Sequence, residues 1–203
     1  TFRWTDVNGT CSGFDEITVS FDEQLEAGTP TALALCEGDT TAYDLSTQLS
    51  GQDAGGTWTD VDDAFGNGAN SVVADPANMD FNALAPGTYR FTYTVSSTGA
   101  CPDDSATVEV NITIQPDAGD DGAMTICEGT SVTAADLFAQ LGGTPDVGGT
   151  WTPAPAGPGV YTYTVDPTAP CTAPDTATVT VSEQAQPDAG DDGAMTICEG
   201  TSV

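Results

Sequence analysis

The chain has 203 residues and an unbalanced charge, with 2 Lys and Arg residues against 31 Asp and Glu residues and a formal net charge of −29. It has no histidine, which excludes imidazole acid–base catalysis and His-based zinc sites. The shortage of cationic side chains excludes nucleic-acid binding. No apolar run approaches the roughly 18 residues of a membrane-spanning helix, so we expect no direct membrane insertion.

The composition indicates small β domains. Hydrophobic residues make up 38% of the chain, enough for modest packed cores. Threonine on alternating segments, with Gly, Pro and Asp between them, is typical of antiparallel β structure. Near the N-terminus, FRWTD at 2–6 and CSGFDEITVSF at 11–21 resemble the last two strands of the units that follow. We therefore predict that 1–24 is the C-terminal part of a domain.

The segment 25–115 is predicted to be a complete domain. The run PGTYRFTYTV at 86–95 alternates apolar residues with threonines, and a second alternating run follows the turn at CPDDSATVEV. This period of two predicts a terminal β-hairpin. Shorter strands are predicted near Cys36 and at the GGTW motif that ends at Trp58. An insert near 60–81 predicts a loop or an added strand pair.

An internal repeat organises the rest of the chain. PDAGDDGAMTICEGTSV at 116–132 recurs unchanged at 187–203. We predict a complete repeat at 116–186, the start of the next at 187–203, and a tandem array of which this chain is a fragment. The spacing of AADLFAQL at 134–141 is helical, but its length favours a single turn or a crossover.

The six cysteines follow the repeat, with two in each complete unit and one in each truncated end. This distribution predicts one disulfide per domain, and each pairing implies an oxidising compartment. Bonds that span domain boundaries, such as Cys101–Cys127, would be equally regular and stay open. The favoured bonds are Cys36–Cys101 and Cys127–Cys171, with Cys11 and Cys198 paired outside the sequence.

These motifs together resemble a known family. The run DAG-D-G-x₄-CEG, then GGTW, PGxYTYTV and a final C-x₃₋₄-D-[ST]-A-T-V-x-V is similar to the tandem Ig-like (PKD-like) repeats of giant Bacteroidetes cell-surface proteins. The resemblance implies Ig-like antiparallel β-sandwich domains in an extended array. It also implies a gliding-associated or other adhesin exported by type IX secretion, located at the cell surface and without catalysis.

Acidic clusters are the candidate metal sites. Oxygen ligands between β domains could bind calcium and stiffen the junction, and no other cofactor is expected. The competing interpretation is a solvated acidic linker shaped by Asx turns and glycines. A weaker candidate lies in the insert, at Asp60, Asp62 and Asp63. The junction candidates are Asp117, Asp120 and Asp121 and their copies Asp188, Asp191 and Asp192.

Three Asp-[Ser/Thr] triplets resemble the Bacteroidetes O-glycosylation sequon. The resemblance implies glycans at Ser105 and Thr176, which occupy matching repeat positions, and at Thr40. The competing interpretation is a chance match in a chain rich in Thr and Asp. Trp58 and Trp151 are predicted core residues, because sugar stacking would need clustered, exposed aromatic rings.

The predicted function is a structural stalk or filament segment of a large extracellular adhesin. Its partners would be neighbouring repeats of the same chain, and beyond them other surface fibres or glycans. One alternative is a glycan-binding accessory array on a secreted polysaccharide-degrading enzyme. Another is assembly by strand donation between subunits.

Overall fold

The structure is a computed structural model, and it describes residues 1–97 and 99–200. Residues 201–203, the end of the predicted repeat start, lie outside the described residues. Almost all regular elements are β-strands, which confirms the predicted all-β fold. The chain divides into two compact units, Thr1–Gln115 with Ala169–Cys171, and Pro116–Thr168 with Thr172–Val203.

The first element of the first unit is an antiparallel hairpin of β1 (Phe2–Asn8) and β2 (Cys11–Ile17). All fourteen of its residues are exposed, although several are large and apolar. One face carries the Arg3 guanidinium, 3.4 Å above the Phe14 ring and 3.4 Å from Glu16. The hairpin matches the two strands that the sequence predicts for 1–24.

The rest of the first unit is built on a five-stranded sheet in the order β4-β11-β10-β7-β8. Two small sheets, β3-β6 and β5-β9, supply the opposite layer, so this unit is a β-sandwich. The insert near 60–81 contributes the added strands β8 and β9. The strands are β3 (Thr29–Pro30), β4 (Leu33–Cys36), β5 (Ala42–Tyr43), β6 (Leu49–Ser50), β7 (Thr57–Asp60), β8 (Ser71–Val72), β9 (Met79–Asp80), β10 (Gly87–Val95) and β11 (Asp104–Thr113).

The core of this unit follows from the alternation in β10 and β11. Phe91, Val108 and Val110 are fully buried, while the threonines between such positions face outward. From the other layer Leu45 and Phe81 close the same cluster. The predicted terminal hairpin is therefore confirmed, and it supplies much of the apolar surface that stabilises the unit.

The second unit is a four-stranded sheet in the order β12-β15-β14-β13. The layer opposite contains helix α1 (Ala134–Phe138), a little over one turn long, with Leu137 fully buried. Thr133 and Asp136 form a capping box at its start, so the predicted single turn is a short helix. The strands are β12 (Gly122–Cys127), β13 (Thr150–Thr152), β14 (Gly159–Val165) and β15 (Asp175–Gln184).

Each main sheet contains one parallel pair beside its antiparallel pairs. β4 runs parallel to β11, and β12 runs parallel to β15. An early strand of each unit thus lies beside its last strand and points the same way. In this register Cys36 lies opposite Thr113, and Cys127 lies opposite Gln184, at the C-terminal ends of β11 and β15.

The predicted disulfides are wrong. Cys36 is bonded to Cys171, with their Cα atoms 4.8 Å apart and a sequence separation of 135 residues. Cys101 and Cys127, their predicted partners, are free thiols. Cys171 comes from the second sequence repeat but belongs, with Ala169 and Pro170, to the first compact unit.

Strand direction is the physical reason. Cys36 lies at the C-terminal end of β11, whereas Cys101 lies in the turn before that strand begins at Asp104. A strand of this length spans about 30 Å at ~3.3 Å per residue, while bonded cysteines need Cα atoms within about 7 Å. The parallel pairing thus places the two cysteines of one repeat at opposite ends of its sheet.

Candidate functional site

A tyrosine on the penultimate strand ties the turn before the tryptophan strand to the core of each unit. In the second unit the Tyr163 hydroxyl donates to the Asp146 carbonyl and accepts from the Gly149 N–H, both at 2.8 Å. The Trp151 ring lies 5.0 Å from the Tyr163 ring at 40°. We call this set the tyrosine lock.

The first unit contains the same lock. The Tyr93 hydroxyl donates to the Asp53 carbonyl at 2.8 Å and accepts from the Gly56 N–H at 2.9 Å. Trp58 lies 5.1 Å from the Tyr93 ring at 41°. The two units therefore share one polar arrangement as well as one fold, even though the insert makes the first unit longer.

The lock explains the GGTW motif. A Cβ on Gly149 would lie 2.6 Å from Cζ of Tyr163 and 2.5 Å from the Thr164 carbonyl oxygen. A Cβ on Gly56 would collide with the Tyr93 ring in the same way. Only glycine lets the tyrosine ring approach this closely. The sequence analysis missed the lock, although the joint recurrence of GGTW and the tyrosine strand was its signal.

A second shared contact holds the start of each unit. The Asp175 carboxylate accepts from the Ala118 N–H at 2.7 Å, and Asp104 accepts from the Ala27 N–H at 2.8 Å. Both alanines are fully buried. These are the aspartates of the two matching glycosylation triplets, so a structural role accounts for their recurrence.

Oxygens of the predicted junction cluster accept hydrogen bonds from the backbone. Asp117 accepts from the Gly119 N–H at 2.7 Å, and Asp188 repeats this turn with Gly190 at 2.7 Å. Asp121 accepts from the Thr178 N–H at 2.6 Å. Asp120 makes a backbone bridge to Gly142.

Among the described residues, the side chains of this cluster do not gather into one group. Asp191 and Asp192 are exposed. Within residues 1–97 and 99–200, no group of three or more His, Cys, Asp or Glu side chains is placed to hold a metal ion. The junction arrangement fits Asx turns and strand caps, and calcium binding stays a prediction.

The three aspartates of the insert also separate. Asp62 accepts two hydrogen bonds from the Arg90 guanidinium, at 2.6 and 3.0 Å, and hydrogen bonding from Arg90 lowers the pKa of Asp62. Asp63 accepts from the Gly68 N–H at 2.6 Å. Each carboxylate therefore fixes a different part of the insert.

Asp60 differs from its neighbours because it is only 1% exposed. One carboxylate oxygen accepts from the Phe65 N–H at 3.2 Å, and the other, Oδ1, has no hydrogen-bond partner among the described residues. Asp60 lines a cavity of about 360 Å³ together with Met79 and Asp80. An unmatched buried oxygen destabilises the folded unit unless a hydrogen-bond donor satisfies it.

The predicted glycosylation residues are accessible. Ser105, Thr176 and Thr40 are all exposed. Ser105 and Thr176 lie on β11 and β15, one residue after each strand begins, rather than in a loop. The aspartate beside Thr40, Asp39, accepts from the Thr41 N–H at 2.8 Å, and this bond is the largest cause of its lowered pKa.

The tryptophans of the two locks are packed against the core, as predicted. Trp58 is 5% exposed and Trp151 is half-buried. A third tryptophan, Trp4, is 73% exposed on the N-terminal hairpin. Within the described residues, no helix is long and apolar enough to cross a membrane.

Comparisons with known proteins give only distant structural similarity. No protein-family model matches the chain, and no curated protein matches it. It is similar to an E-to-A variant of the titin three-Ig fragment I67–I69 (TM-score 0.39, 10% identity), covering 81% of this chain and 65% of that one. The titin I-band fragment I67–I69 gives TM-score 0.37 and 10% identity, with 77% and 64% covered. Drosophila N-cadherin EC1-4 gives 0.31 and 13%, with 79% and 50% covered.

Proposed function

We propose that the chain is a structural segment of a long extracellular stalk or filament in a large repetitive adhesin. One observation carries the proposal: the same tyrosine lock, with hydrogen bonds of 2.8 to 2.9 Å, is present in consecutive units. The contacts that recur serve folding, since they join backbone groups of one unit to each other. A repeated, self-sufficient fold is what a spacer array requires.

The charge of the chain supports an exposed, solvated role. A formal net charge of −29 on 203 residues keeps neighbouring copies apart and opposes sticking between fibres. The disulfide supports a location outside the cytoplasm, at the cell surface, because such bonds persist in oxidising compartments. We place no catalysis in this segment.

The resemblance to Bacteroidetes surface repeats supplies the finer proposal. On that basis the protein would take part in surface adhesion or gliding, leave the cell by type IX secretion and carry O-glycans at Ser105, Thr176 and Thr40. The partners would be the neighbouring repeats, then other fibres or glycans. Calcium at the junction aspartates belongs to the same proposal.

Deleting whole repeats from the native protein tests the stalk role. We expect loss of one complete 116–186-type repeat to preserve export and display, while the distance between cell surface and fibre tip shortens by one repeat. Electron microscopy of tip-labelled cells measures that distance. An unchanged reach, or loss of a binding activity with the repeat, would contradict a spacer.

A glycan array separates the stalk from the accessory-array alternative. The 203-residue chain, folded and disulfide-bonded, should bind no glycan above the level of a reduced and alkylated control. Saturable binding to one polysaccharide class would favour the glycan-binding alternative. Repetition with Trp4→Ala would then show whether the exposed hairpin tryptophan carries it.

A further inference from the structure

The pairing of Cys36 with Cys171 defines a rule for the whole array. We call Cys36, Cys127 and Cys198 the CEG cysteines, after the motif they begin, and Cys11, Cys101 and Cys171 the turn cysteines, because each precedes the last strand of its repeat. We propose that each CEG cysteine forms a disulfide with the turn cysteine of the next repeat. This inference rests on the tandem-array part of the proposed function.

The geometry within each unit excludes a bond inside one repeat. Cys36 lies at the end of β11, and Cys101 precedes its start. In the second unit Cys127 lies opposite Gln184 at the end of β15, and Cys171 precedes the start of that strand. The separation of about 30 Å along the strand holds in both units, so each cysteine needs a partner from another repeat.

Cys127 occupies the same local structure as the bonded Cys36. After Cys36, the Glu37 N–H donates to the Thr113 carbonyl at 2.8 Å; after Cys127, the Glu128 N–H donates to the Gln184 carbonyl at 2.9 Å. The glycine that follows has a φ of +75° in the first turn and +77° in the second. Cys127 therefore has the same backbone surroundings as Cys36. It is also exposed, so a partner cysteine can reach its thiol.

The rule accounts for the free thiols of the described chain. The partner of Cys127 is the turn cysteine of the repeat that begins at 187, and it lies beyond residue 203. The partner of Cys101 is the CEG cysteine of the preceding repeat. The partner of Cys11 is the CEG cysteine of the repeat before that one. All three are free thiols here, as expected if their partners lie outside these 203 residues.

Bond formation needs an oxidant. Two thiols lose two protons and two electrons to form the S–S bond, and an oxidised disulfide such as oxidised glutathione accepts them and becomes two thiols. The reaction passes through a mixed disulfide on the more accessible cysteine. Exposure favours Cys127 for that first step.

Successive bonds under this rule close overlapping loops. The loop from Cys36 to Cys171 already contains Cys127, from which the next loop begins. Residues 127–171 thus belong to both disulfide-closed loops. An array built this way cannot extend fully under tension until disulfides are reduced, a property suited to a stalk.

The test is a chain extended after Val203 by a copy of residues 133–186, which completes the fourth repeat. After oxidation with oxidised glutathione, non-reducing peptide mapping should find Cys36–Cys171 and a second bond from Cys127 to the added copy of Cys171. Cys127→Ser should leave the added cysteine alkylatable. The matched control Cys101→Ser should leave both bonds intact.

Two other patterns would overturn the rule. A bond from Cys198 to the added cysteine would restore pairing within one repeat, and a Cys171–Cys198 bond would establish pairing across each boundary. If the extended chain does not fold, the same mapping on the native protein distinguishes the three patterns. Neither of these disulfide patterns would contradict the stalk role. That role is tested by the repeat-deletion experiment, which measures the distance from cell surface to fibre tip and not cysteine pairing.

Discussion

At the scale of single residues, aspartate acts here mainly as a backbone acceptor. The Asp175 carboxylate accepts a hydrogen bond from the Ala118 N–H. In the same way Asp121 accepts from Thr178, and Asp53 accepts from Glu26. A carboxylate that accepts from a peptide N–H replaces lost water and fixes a loop at the same time. Much of the acidic character of the chain is therefore structural.

Asp175→Ala tests whether the triplet aspartate is structural. We expect the variant, produced without glycans, to lose about 1–3 kcal/mol of unfolding free energy, because the buried Ala118 N–H loses its acceptor. Thr176→Ala is the matched control and should stay within about 0.5 kcal/mol. Urea unfolding followed by circular dichroism measures both. If both effects are small and equal, the structural role would be contradicted, and glycosylation would explain why the triplet recurs.

Tyr93→Phe tests the tyrosine lock. The buried hydroxyl joins Asp53 to Gly56, so its removal leaves two backbone groups without partners and should cost about 1–3 kcal/mol. The control is Tyr89→Phe in the same unit. The exposed Tyr89 hydroxyl donates to the Ala85 carbonyl at 3.0 Å, and water can take its place in the variant. Similar losses for both variants would contradict the lock.

At the scale of elements, the turn before each tryptophan strand is fitted to the tyrosine ring. We expect Gly149→Ala to destabilise the second unit by about 1–3 kcal/mol, as overpacking does, since its Cβ would meet Tyr163 and the Thr164 carbonyl. Gly157→Ala has open space around the new Cβ and serves as the control. Thermal unfolding compares them, and a tolerated Gly149→Ala would show that the turn can shift.

The insert is attached to β10 by a pH-dependent ion pair. Hydrogen bonds from Arg90 hold the pKa of Asp62 below its usual range. A group whose pKa is lowered on folding stabilises the fold above its unfolded pKa of about 3.9, and that stabilisation is lost as pH falls through the folded value.

An NMR titration measures this attachment. The carboxyl carbon of Asp62 should titrate below the usual aspartate range, and Arg90→Gln should move its midpoint upward. Asp39, whose pKa is lowered by the hydrogen bond from the Thr41 backbone N–H instead, should keep its midpoint in the variant. A midpoint of Asp62 that does not respond to Arg90→Gln would mean that the pair is not formed in solution.

The sequence predicted the position and buried face of the strands better than it predicted which strands pair. Alternation around Tyr163 and Val179 identified which residues face the core, because side-chain period determines the face of a strand. Period carries no information about which strands pair or in which direction. The parallel β4–β11 and β12–β15 pairs were therefore missed, and so was the Cys36–Cys171 bond that depends on them.

The candidate site shows the same limit. The spacing of Asp117, Asp120 and Asp121 suggested a shared ligand, but the Asp117 and Asp121 carboxylates accept from separate backbone N–H groups, and Asp120 is bonded to Gly142 through its backbone. Proximity in sequence did not become convergence in space. The lock, by contrast, joins Gly149 to a tyrosine on a later strand, and only a three-dimensional structure brings such residues together.

At the scale of the whole molecule, charge repulsion opposes folding. With a formal net charge of −29, few cations offset the carboxylates, and the described ion pairs are Arg3–Glu16 and Arg90–Asp62. Compaction brings like charges together, which costs free energy that dissolved ions reduce by screening.

Salt should therefore stabilise the chain, and calcium can be distinguished from general screening. At pH 7 we expect the melting temperature to rise with NaCl and to level off as the screening length falls below about 8 Å, near ~0.15 M and above. CaCl₂ and MgCl₂ at matched ionic strength should give nearly the same rise if the junction aspartates only cap backbone groups. A saturable effect of calcium alone, removed by EDTA and by Asp117→Asn with Asp121→Asn, would instead establish the predicted calcium site. Asp6→Asn with Asp166→Asn, at exposed positions outside the candidate calcium ligands, controls for the change in net charge.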